Sequence, residues 1–412
     1  MSASARKPAL GFICVTMVLL MFGYGLIIPV LPNLVTQFEG GSIAAGSRSY
    51  GNLIGIFALM QFVCSPILGA LSDQFGRRRV LLITLTGLSI DYVIMGASRS
   101  IAWLYVGRMI SGATAGAIAT CNAYIADIMP PEKRAQGYGL LNAAFGLGFV
   151  IGPVPGGLLG EANLRLPFFV AAGCVLLNLV YGAAVLPESL PVERRRPFQW
   201  KRANAVGGLL ALRRFRGVLP LASALFITTF ASSMLQATWV LYTGYRFGWS
   251  TAQVGTSLAM VGISMAIVQS VLVKPIIART GERRALILGL GISAIEMTAY
   301  GSISQGWMMY LVIVFGSLGG IAGPAAQALM TRQVAADEQG KLQGAVSSLY
   351  SLAYIFAPLL ASWSFGACIA PAAKFRIPGI AFYEAALLIA VAIPLCWRAT
   401  RHAREVASPA AA

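Results

Sequence analysis

The sequence has 412 residues, of which 57% are hydrophobic and only 11% are charged. A soluble domain carries roughly 25% charged residues, so this composition cannot cover a water-facing surface. The formal net charge of +17 would suit a nucleic-acid-binding protein only if a soluble domain carried a basic face, and none is apparent. The composition therefore excludes a soluble protein and indicates a chain that is covered mostly by lipid.

Apolar stretches long enough to cross a bilayer as a helix recur along the whole chain. Because lipid-facing backbone must satisfy its own hydrogen bonds, each stretch is predicted to be helical. In chain order, the twelve predicted spans are 11–33, 50–71, 80–98, 102–126, 136–159, 167–186, 219–243, 252–277, 285–303, 307–331, 341–365 and 378–397. The first stretch is interpreted as a span and not as a cleaved signal peptide. Kinks are expected at Pro29, Pro66, Pro153 and Pro358, which lie inside spans.

The loops between the predicted spans differ strongly in charge. Lys and Arg accumulate in alternate loops, which places both termini in the cytoplasm by the positive-inside rule. The longest loop, 187–218, carries eight basic residues: Arg194, Arg195, Arg196, Lys201, Arg202, Arg213, Arg214 and Arg216. It is predicted to separate an N-terminal bundle, 1–186, from a C-terminal part, 219–412. Two interpretations of this loop remain open: a topology anchor, or a segment that also contacts anionic lipid headgroups.

Several features of the first half return in the second half. With an offset of 205 residues, the turn 76–79 matches 281–284, Asp91 matches Glu296, and Pro153 matches Pro358. Repeated halves with a binding site between them at the bilayer midplane are typical of secondary transporters. The fold class predicted here is an all-α membrane protein of twelve helices in two pseudo-symmetric six-helix bundles.

The loop after span two resembles the conserved loop of the major facilitator superfamily. The residues concerned are Gly69, Asp73, Gly76, Arg77 and Arg78. Gly69 is expected to permit close helix contact, Gly76 to turn the chain, and Asp73 to lie near a helix N-terminus or an arginine. Asp127, at the end of span four, is expected to join the same charge network. The favoured interpretation is a gating latch, and the alternative is a plain charged turn.

Span five contains small residues and prolines at Gly146, Gly148, Gly152, Pro153, Gly156 and Gly157. Such residues permit tight helix packing and bend the helix. The pattern resembles the antiporter signature of the superfamily, which implies export. A nucleotide-binding loop is disfavoured because no strand precedes it. Simple helix packing without a link to antiport remains the alternative.

Three charged residues within the spans are candidates for proton coupling: Asp91, Arg108 and Glu296. Charges inside a membrane are rare and typical of proton relays, and Arg108 matches a superfamily motif that is linked to proton coupling. The alternatives are structural: a hydrogen-bonded Asp91, an Arg108 that extends to the membrane surface, and a structural Glu296. The role of Glu384 in span twelve is left open.

The resemblance extends below the superfamily, to the tetracycline exporters of the drug:proton antiporter group. It is carried by 88–92, 239–243, 246–250 and 342–344. The sequence departs from that group at Leu20 and Ser293, where the resemblance implies carboxylates, and at Met265, where it implies a histidine. Glu296 follows Ser293 by about one helical turn and is expected to take over its role. These departures weaken tetracycline itself as the expected substrate, whereas proton-coupled export is still expected.

A central cavity needs apolar walls with a few polar groups. The candidate lining residues are Tyr24, Gln61, Asn142, Gln236, Trp239, Tyr242, Met265, Gln327, Tyr350 and Tyr354. Each of them could instead contact a neighbouring helix. No cysteine pattern indicates a disulfide framework or a metal site.

The sequence favours a proton-coupled antiporter of a bacterial inner membrane that exports amphiphilic small molecules. The proton gradient is expected to be its energy source, with no cofactor. The expected partners are a small-molecule substrate, protons and the lipid bilayer, with no nucleic acid, and a monomer is expected. The alternatives are a metabolite or siderophore transporter of the same superfamily and a membrane sensor without transport. An enzyme is not expected, because no nucleophile–base or metal-ligand cluster is recognisable.

Overall fold

The fold is known from a computed structural model, which describes residues 3–200, 204, 207, 210, 215, 218–334 and 338–406. All regular secondary structure in these residues is helical. Five basic residues of the predicted central loop lie outside the described residues: Lys201, Arg202, Arg213, Arg214 and Arg216. In the described chain, 11 helices or helix runs are long and apolar enough to cross a membrane. The prediction of an all-α membrane protein is confirmed.

The helices follow the predicted spans closely. Spans one to three are Ala3–Ile27, Ile43–Phe75 and Arg77–Ala97, with a short helix, Leu31–Phe38, after the first. Span four is Ile101–Ala113 and Ala117–Ile128, span five is Arg134–Ile151 and Pro153–Ala162, and span six is Leu166–Val185. Spans seven to nine are Leu219–Phe247, Thr251–Thr280 with a π-helical turn at Val268–Leu272, and Glu282–Ser302. Spans ten to twelve are Gly306–Thr331 with a 3₁₀ segment at Ser317–Ile321, Gln339–Ile369 and Ile380–Val406.

Span four differs from its prediction, because the expected continuous helix 102–126 is divided at Thr114–Gly116. The Thr114 hydroxyl donates to the carbonyl of Ile110 at 2.9 Å, and the Gly116 N–H donates to the carbonyl of Thr114 at 2.8 Å. These local bonds replace the helical pattern for one turn. Hydropathy does not reveal such a break, since the residues on both sides are equally apolar.

The predicted proline kinks have different outcomes. The first helix ends at Ile27, two residues before Pro29, and span five is divided immediately before Pro153. Pro66 and Pro358 instead lie inside helices that continue through them. A helix can pass a proline when neighbouring groups compensate for the lost hydrogen bond.

Contacts divide the chain into two compact units. The first comprises residues 1–42, 53–205 and 249–259, and the second comprises 43–52, 206–248 and 260–412. In the first unit, span one packs against spans five and six, and span three packs against spans four and six. In the second unit, span seven packs against eleven and twelve, and span nine packs against ten and twelve. The packing therefore repeats with a shift of six spans, while the predicted domain boundaries at 186 and 218 stay a prediction.

Two glycine turns repeat with the same offset. Gly76 has φ 103° and ψ 158°, and Gly281 has φ 77° and ψ 156°. This region of backbone conformation is accessible almost only to glycine. Each glycine immediately precedes a helix of 21 residues, which begins at Arg77 or Glu282. The turns thus fix where spans three and nine begin.

An ion pair follows each of these turns, and the two pairs have opposite polarity. The Arg77 Nε lies 3.0 Å from the Asp127 carboxylate, and the Glu282 carboxylate lies 2.8 Å from Arg332. Arg77 and Glu282 are 205 residues apart, as are Asp127 and Arg332. The repeat therefore preserves the position of the pair while it exchanges the charges.

We predict that Gly76→Ala and Gly281→Ala each lower the free energy of unfolding by about 1–3 kcal/mol, the range for strained backbone. Gly76→Ala should lose more, because its Cβ would overlap the carboxylate of Glu188, whereas a Cβ at Gly281 meets open space. Thermal unfolding in detergent micelles measures the difference. Gly139→Ala, in a helix with open space around it, is the control and should not destabilise. Equal midpoints for the three variants would contradict this account of the turns.

Candidate functional site

One face of span five lies against the backbone of span one. A Cβ at Gly148, Gly152 or Gly156 would overlap a backbone carbonyl of span one, namely those of Val18, Phe22 and Leu26 respectively. The spacing of four residues puts the three glycines on one face of the helix. No larger residue fits there without separating the two helices, so the glycines are needed for this close approach.

The same segment has a second packed face. The Thr251 hydroxyl donates to the carbonyl of Gly157 at 2.8 Å, and Gly255 lies against the carbonyl of Pro153. All four residues belong to the first unit. The signature residues thus pack on two sides, towards span one and towards the beginning of span eight. Gly146 departs from this expectation, because a Cβ there would meet no described atom within 4 Å.

The second unit contains the corresponding contact. The Ser47 hydroxyl donates to the carbonyl of Ser362 at 2.8 Å, and Gly51 lies against the carbonyl of Pro358. Ser362 and Pro358 are offset by 205 residues from Gly157 and Pro153. The beginning of span two therefore packs against span eleven. The beginning of span eight packs against span five in the same way.

Asp91 and Arg108 form a buried ion pair between spans three and four. The Asp91 side chain is fully buried and that of Arg108 is 8% exposed. The guanidinium also lies 5.3 Å from the ring centre of Phe57 and 3.5 Å from the sulphur of Met95. Gly107 packs directly against the Asp91 carboxylate. The structure brings these two candidate coupling residues together, and Arg108 does not extend to the surface.

Glu296 has quite different surroundings. Its carboxylate accepts a hydrogen bond of 2.9 Å from the hydroxyl of Tyr300, one turn further along span nine. Among the described residues, no Lys or Arg forms an ion pair with it. Tyr300 is buried, and the ring of Trp239 packs against it edge-on at 5.1 Å. The candidate acid of the second unit is therefore held by a phenol and not by a cation.

Glu296 lies against the interruption of span ten. A Cβ at Gly316 would overlap the Glu296 carboxyl group, and a Cβ at Gly319 would overlap the hydroxyl of Ser293. Both side chains of span nine therefore face the same 3₁₀ segment. That Glu296 takes over the role of Ser293 stays a prediction.

Span eight meets the same segment through its π-helical turn. The Gln269 side-chain amide donates to the carbonyl of Gly320 at 3.2 Å, and the Met265 sulphur lies close to Gly320. Pro275 lacks an N–H and so favours an irregular turn before it. Irregular backbone at membrane depth is tolerated where it is buried in protein or lines a water-filled cavity, and interrupted helices often mark transport sites. The second unit therefore gathers polar groups from spans eight and nine around the interruption of span ten.

The gating-loop residues form a connected charge network at the end of span two. Arg77 pairs with Asp73 at 2.6 Å as well as with Asp127. The Glu188 carboxylate accepts hydrogen bonds from the N–H groups of Arg77 and Arg78 at 2.8 and 3.2 Å. These N–H groups begin span three and have no partner within the helix, so a carboxylate stabilises them.

Two parts of the network differ from the expectation. Gly69 is exposed, and a Cβ there would meet no described atom within 4 Å, so the predicted close helix contact is absent from the described residues. The sequence patterns did not identify Glu188. An acid at the edge of a strongly basic loop is a usable signal, because it suggests a partner for unpaired N–H groups or for arginines.

The candidate cavity residues fall into three groups. Trp239 and Tyr242 are buried within the second unit, where the Tyr242 hydroxyl donates to the carbonyl of Tyr300 at 2.7 Å, so neither offers surface to a substrate in this conformation. Accessible side chains are those of Tyr24, Asn142, Gln236, Met265 and Tyr354. Gln61, Gln327 and Tyr350 are half-buried.

Other polar residues with defined contacts were also not foreseen. Tyr300, Gln269 and Thr251 each bond to a candidate site residue or to an interrupted helix. The spacing of four residues between Glu296 and Tyr300 could have identified that pair. The described residues contain no group of three or more potential metal-binding His, Cys, Asp or Glu side chains.

The sequence matches the family model of the Major Facilitator Superfamily over residues 13–358 and 221–412. It is 40% identical over 373 residues to the tetracycline resistance protein, class C, of Escherichia coli, covering 90% of this chain and 92% of that protein. It is 29% identical to multidrug resistance protein 2 of Bacillus subtilis, covering 82% and 84% of the two chains. The fold resembles a bacterial homologue of the human lysosomal transporter Spinster, with a TM-score of 0.75, 15% identity and coverage of 97% and 98%.

Removal of one member of the Asp91–Arg108 pair should be strongly destabilising. We expect Asp91→Asn to lower the free energy of unfolding by about 3–5 kcal/mol, because it leaves a buried guanidinium without a counter-charge. The double variant Asp91→Leu, Arg108→Met should recover most of that loss. Thermal unfolding in micelles measures both. Arg332, whose side chain is 74% exposed in its ion pair with Glu282, provides the control, since Arg332→Gln should cost less than about 1 kcal/mol. An Asp91→Asn protein as stable as the wild type would show that the pair has no structural role.

Proposed function

The chain belongs to the Major Facilitator Superfamily and, within it, to the family of the tetracycline resistance proteins, and on that premise we propose that it is a proton-driven antiporter that exports tetracycline-like amphiphilic compounds by alternating access. The single observation that carries this proposal is the 40% identity to a tetracycline resistance protein over 90% of the chain.

In the proposed mechanism, Glu296 is the principal proton carrier. A carboxylate inside a membrane span without a cationic partner is costly, and uptake of a proton removes that cost. Proton binding would weaken the hydrogen bond that the Tyr300 hydroxyl donates to the Glu296 carboxylate. It would also change the contacts at the interruption of span ten. A substrate that competes with the proton for this region would then be released outwards as the proton enters.

The Asp91–Arg108 pair is proposed to couple the first unit to the same cycle. Protonation of Asp91 would release Arg108 from its ion pair, which costs little only if the guanidinium finds another partner or water. The neighbouring ring of Phe57 already provides a favourable face for the cation. Asp91 would therefore control the position of Arg108, whereas Glu296 would carry the proton.

The remaining features of the proposal concern location and partners. We place the protein in the bacterial inner membrane as a monomer, with both termini in the cytoplasm. The distribution of Lys and Arg among the loops supports this orientation. The proton gradient would supply the energy without a cofactor.

Proton coupling is tested in everted vesicles in which substrate addition dissipates an imposed pH gradient. Glu296→Gln should reduce substrate-linked proton flux at least ten-fold, because an amide cannot bind and release a proton. Substrate binding, measured by equilibrium titration of the purified protein, should change much less. If Glu296→Gln transports protons at the wild-type rate, Glu296 is not the carrier.

Glu384→Gln is the matched control for this experiment. Glu384 is also an acid within the second unit, and it accepts a hydrogen bond of 2.9 Å from the Ser364 hydroxyl. Because it lies in span twelve and not at the interruption of span ten, the same substitution there should leave substrate-linked flux near the wild-type level. An equal loss of proton flux in both variants would show that transport is sensitive to removal of either acid. Glu296 would then not be a specific carrier.

The substrate is tested by accumulation in an efflux-deficient bacterial host that expresses the chain. Cells should accumulate less tetracycline than cells that express the Glu296→Gln variant, and the difference should vanish when a protonophore collapses the gradient. A panel of cationic and neutral amphiphiles should be measured in parallel. Exclusion of other amphiphiles but not of tetracycline would contradict the tetracycline part of the proposal and retain the antiport mechanism.

A further inference from the structure

The segment 192–200, here called the basic–aromatic segment, takes no part in the proposed transport cycle. Arg194 and Arg196 are exposed, and Arg195 is half-buried between them. Phe198 and Trp200 follow, with ring centres 4.9 Å apart and planes at 89°. Three consecutive arginines are therefore followed by two aromatic side chains in a segment that is mostly exposed.

The segment also exposes large apolar side chains. The exposed fraction is 73% for Trp200 and 69% for Val192. Tryptophan is enriched at membrane–water interfaces, where its ring lies among the headgroups. A basic stretch next to a membrane attracts anionic lipids. The combination fits a lipid headgroup layer better than it fits bulk water.

The segment is fastened to the end of span two and is not a free loop. The Arg196 N–H donates to the carbonyl of Asp73 at 3.1 Å. Just before the segment, the Ser189 hydroxyl donates to the Asp127 carboxylate at 3.1 Å, and Glu188 binds the first N–H groups of span three. The backbone of the segment is thus held beside the end of span two at Arg196.

We propose that the basic–aromatic segment is a binding site for anionic phospholipid headgroups of the cytoplasmic leaflet. Arg194 and Arg196 pair with the negatively charged phosphate of the headgroup, and Trp200 lies at the acyl boundary. Glu193 is the acidic residue within the segment, so the local charge is still positive. The inference rests on the cytoplasmic placement of the central loop in the proposed function, but not on export.

The site is tested by quenching of tryptophan fluorescence in vesicles that contain brominated phosphatidylglycerol or brominated phosphatidylcholine. The difference between wild type and Trp200→Phe isolates the signal of Trp200 from that of the other tryptophans. Phosphatidylglycerol should quench this signal more strongly than phosphatidylcholine. Arg194→Gln together with Arg196→Gln should reduce the lipid selectivity, by up to roughly five-fold for each arginine, and high salt should reduce it as well.

The matched control removes the same charge elsewhere. Lys374 and Arg376 are exposed in the loop between spans eleven and twelve, which is proposed to be external. Lys374→Gln together with Arg376→Gln should leave the selectivity of the Trp200 signal unchanged. Quenching of the remaining tryptophans, compared between variants, reports whether each protein is inserted normally.

Three results would overturn the proposal: no quenching of the Trp200 signal, equal quenching by the two lipids, or equal loss of selectivity in the control variant. Substrate-linked proton flux measured in the same vesicles is an independent readout. A protein that transports normally without lipid selectivity contradicts only this site. A protein that shows lipid selectivity without transport contradicts only the proposed export.

Discussion

Interruption of a helix inside a membrane is the constraint on which the candidate sites depend. Backbone groups freed by an interruption must find partners within the protein, because lipid offers none. Span four is divided at Thr114–Gly116 and span ten is irregular at Ser317–Ile321, and these positions correspond under the 205-residue offset. Spans three and nine, which contain Asp91 and Glu296, pack against these interrupted helices. Polar chemistry is therefore concentrated where the helical pattern fails.

Close glycine contacts hold helices together within each unit. Gly148, Gly152 and Gly156 bring span five against the backbone of span one. The carbonyls of Pro153 and Pro358 contact the beginnings of spans eight and two, respectively. Without a hydrophobic driving force between helices in lipid, such close packing is a main source of association. A helix held this closely moves as a body, which is what a transport cycle based on repeated units requires.

Sequence patterns predicted the features that depend on composition and spacing. Hydropathy located the spans, and the offset identified the repeat that the packing confirms. The break at Thr114 could not be foreseen, because it depends on side-chain bonds to the backbone within an apolar stretch. The contact expected at Gly69 also failed, since a glycine in sequence shows that close approach is possible and not that a neighbour is present. Glu188 was missed because its partners are backbone N–H groups, which no residue pattern displays.

The two units show that the repeat conserves positions more strictly than it conserves charge. Asp91 and Glu296 occupy equivalent positions, yet a guanidinium holds the first and a phenol holds the second. Arg77 and Glu282 are also equivalent, and their ion pairs have opposite polarity. If both acids were paired with cations, a proton would have to displace a strong partner in each unit. One acid with only a hydrogen-bond donor leaves a place where a proton and a substrate can compete, and this difference between the units is why we propose Glu296 as the proton carrier.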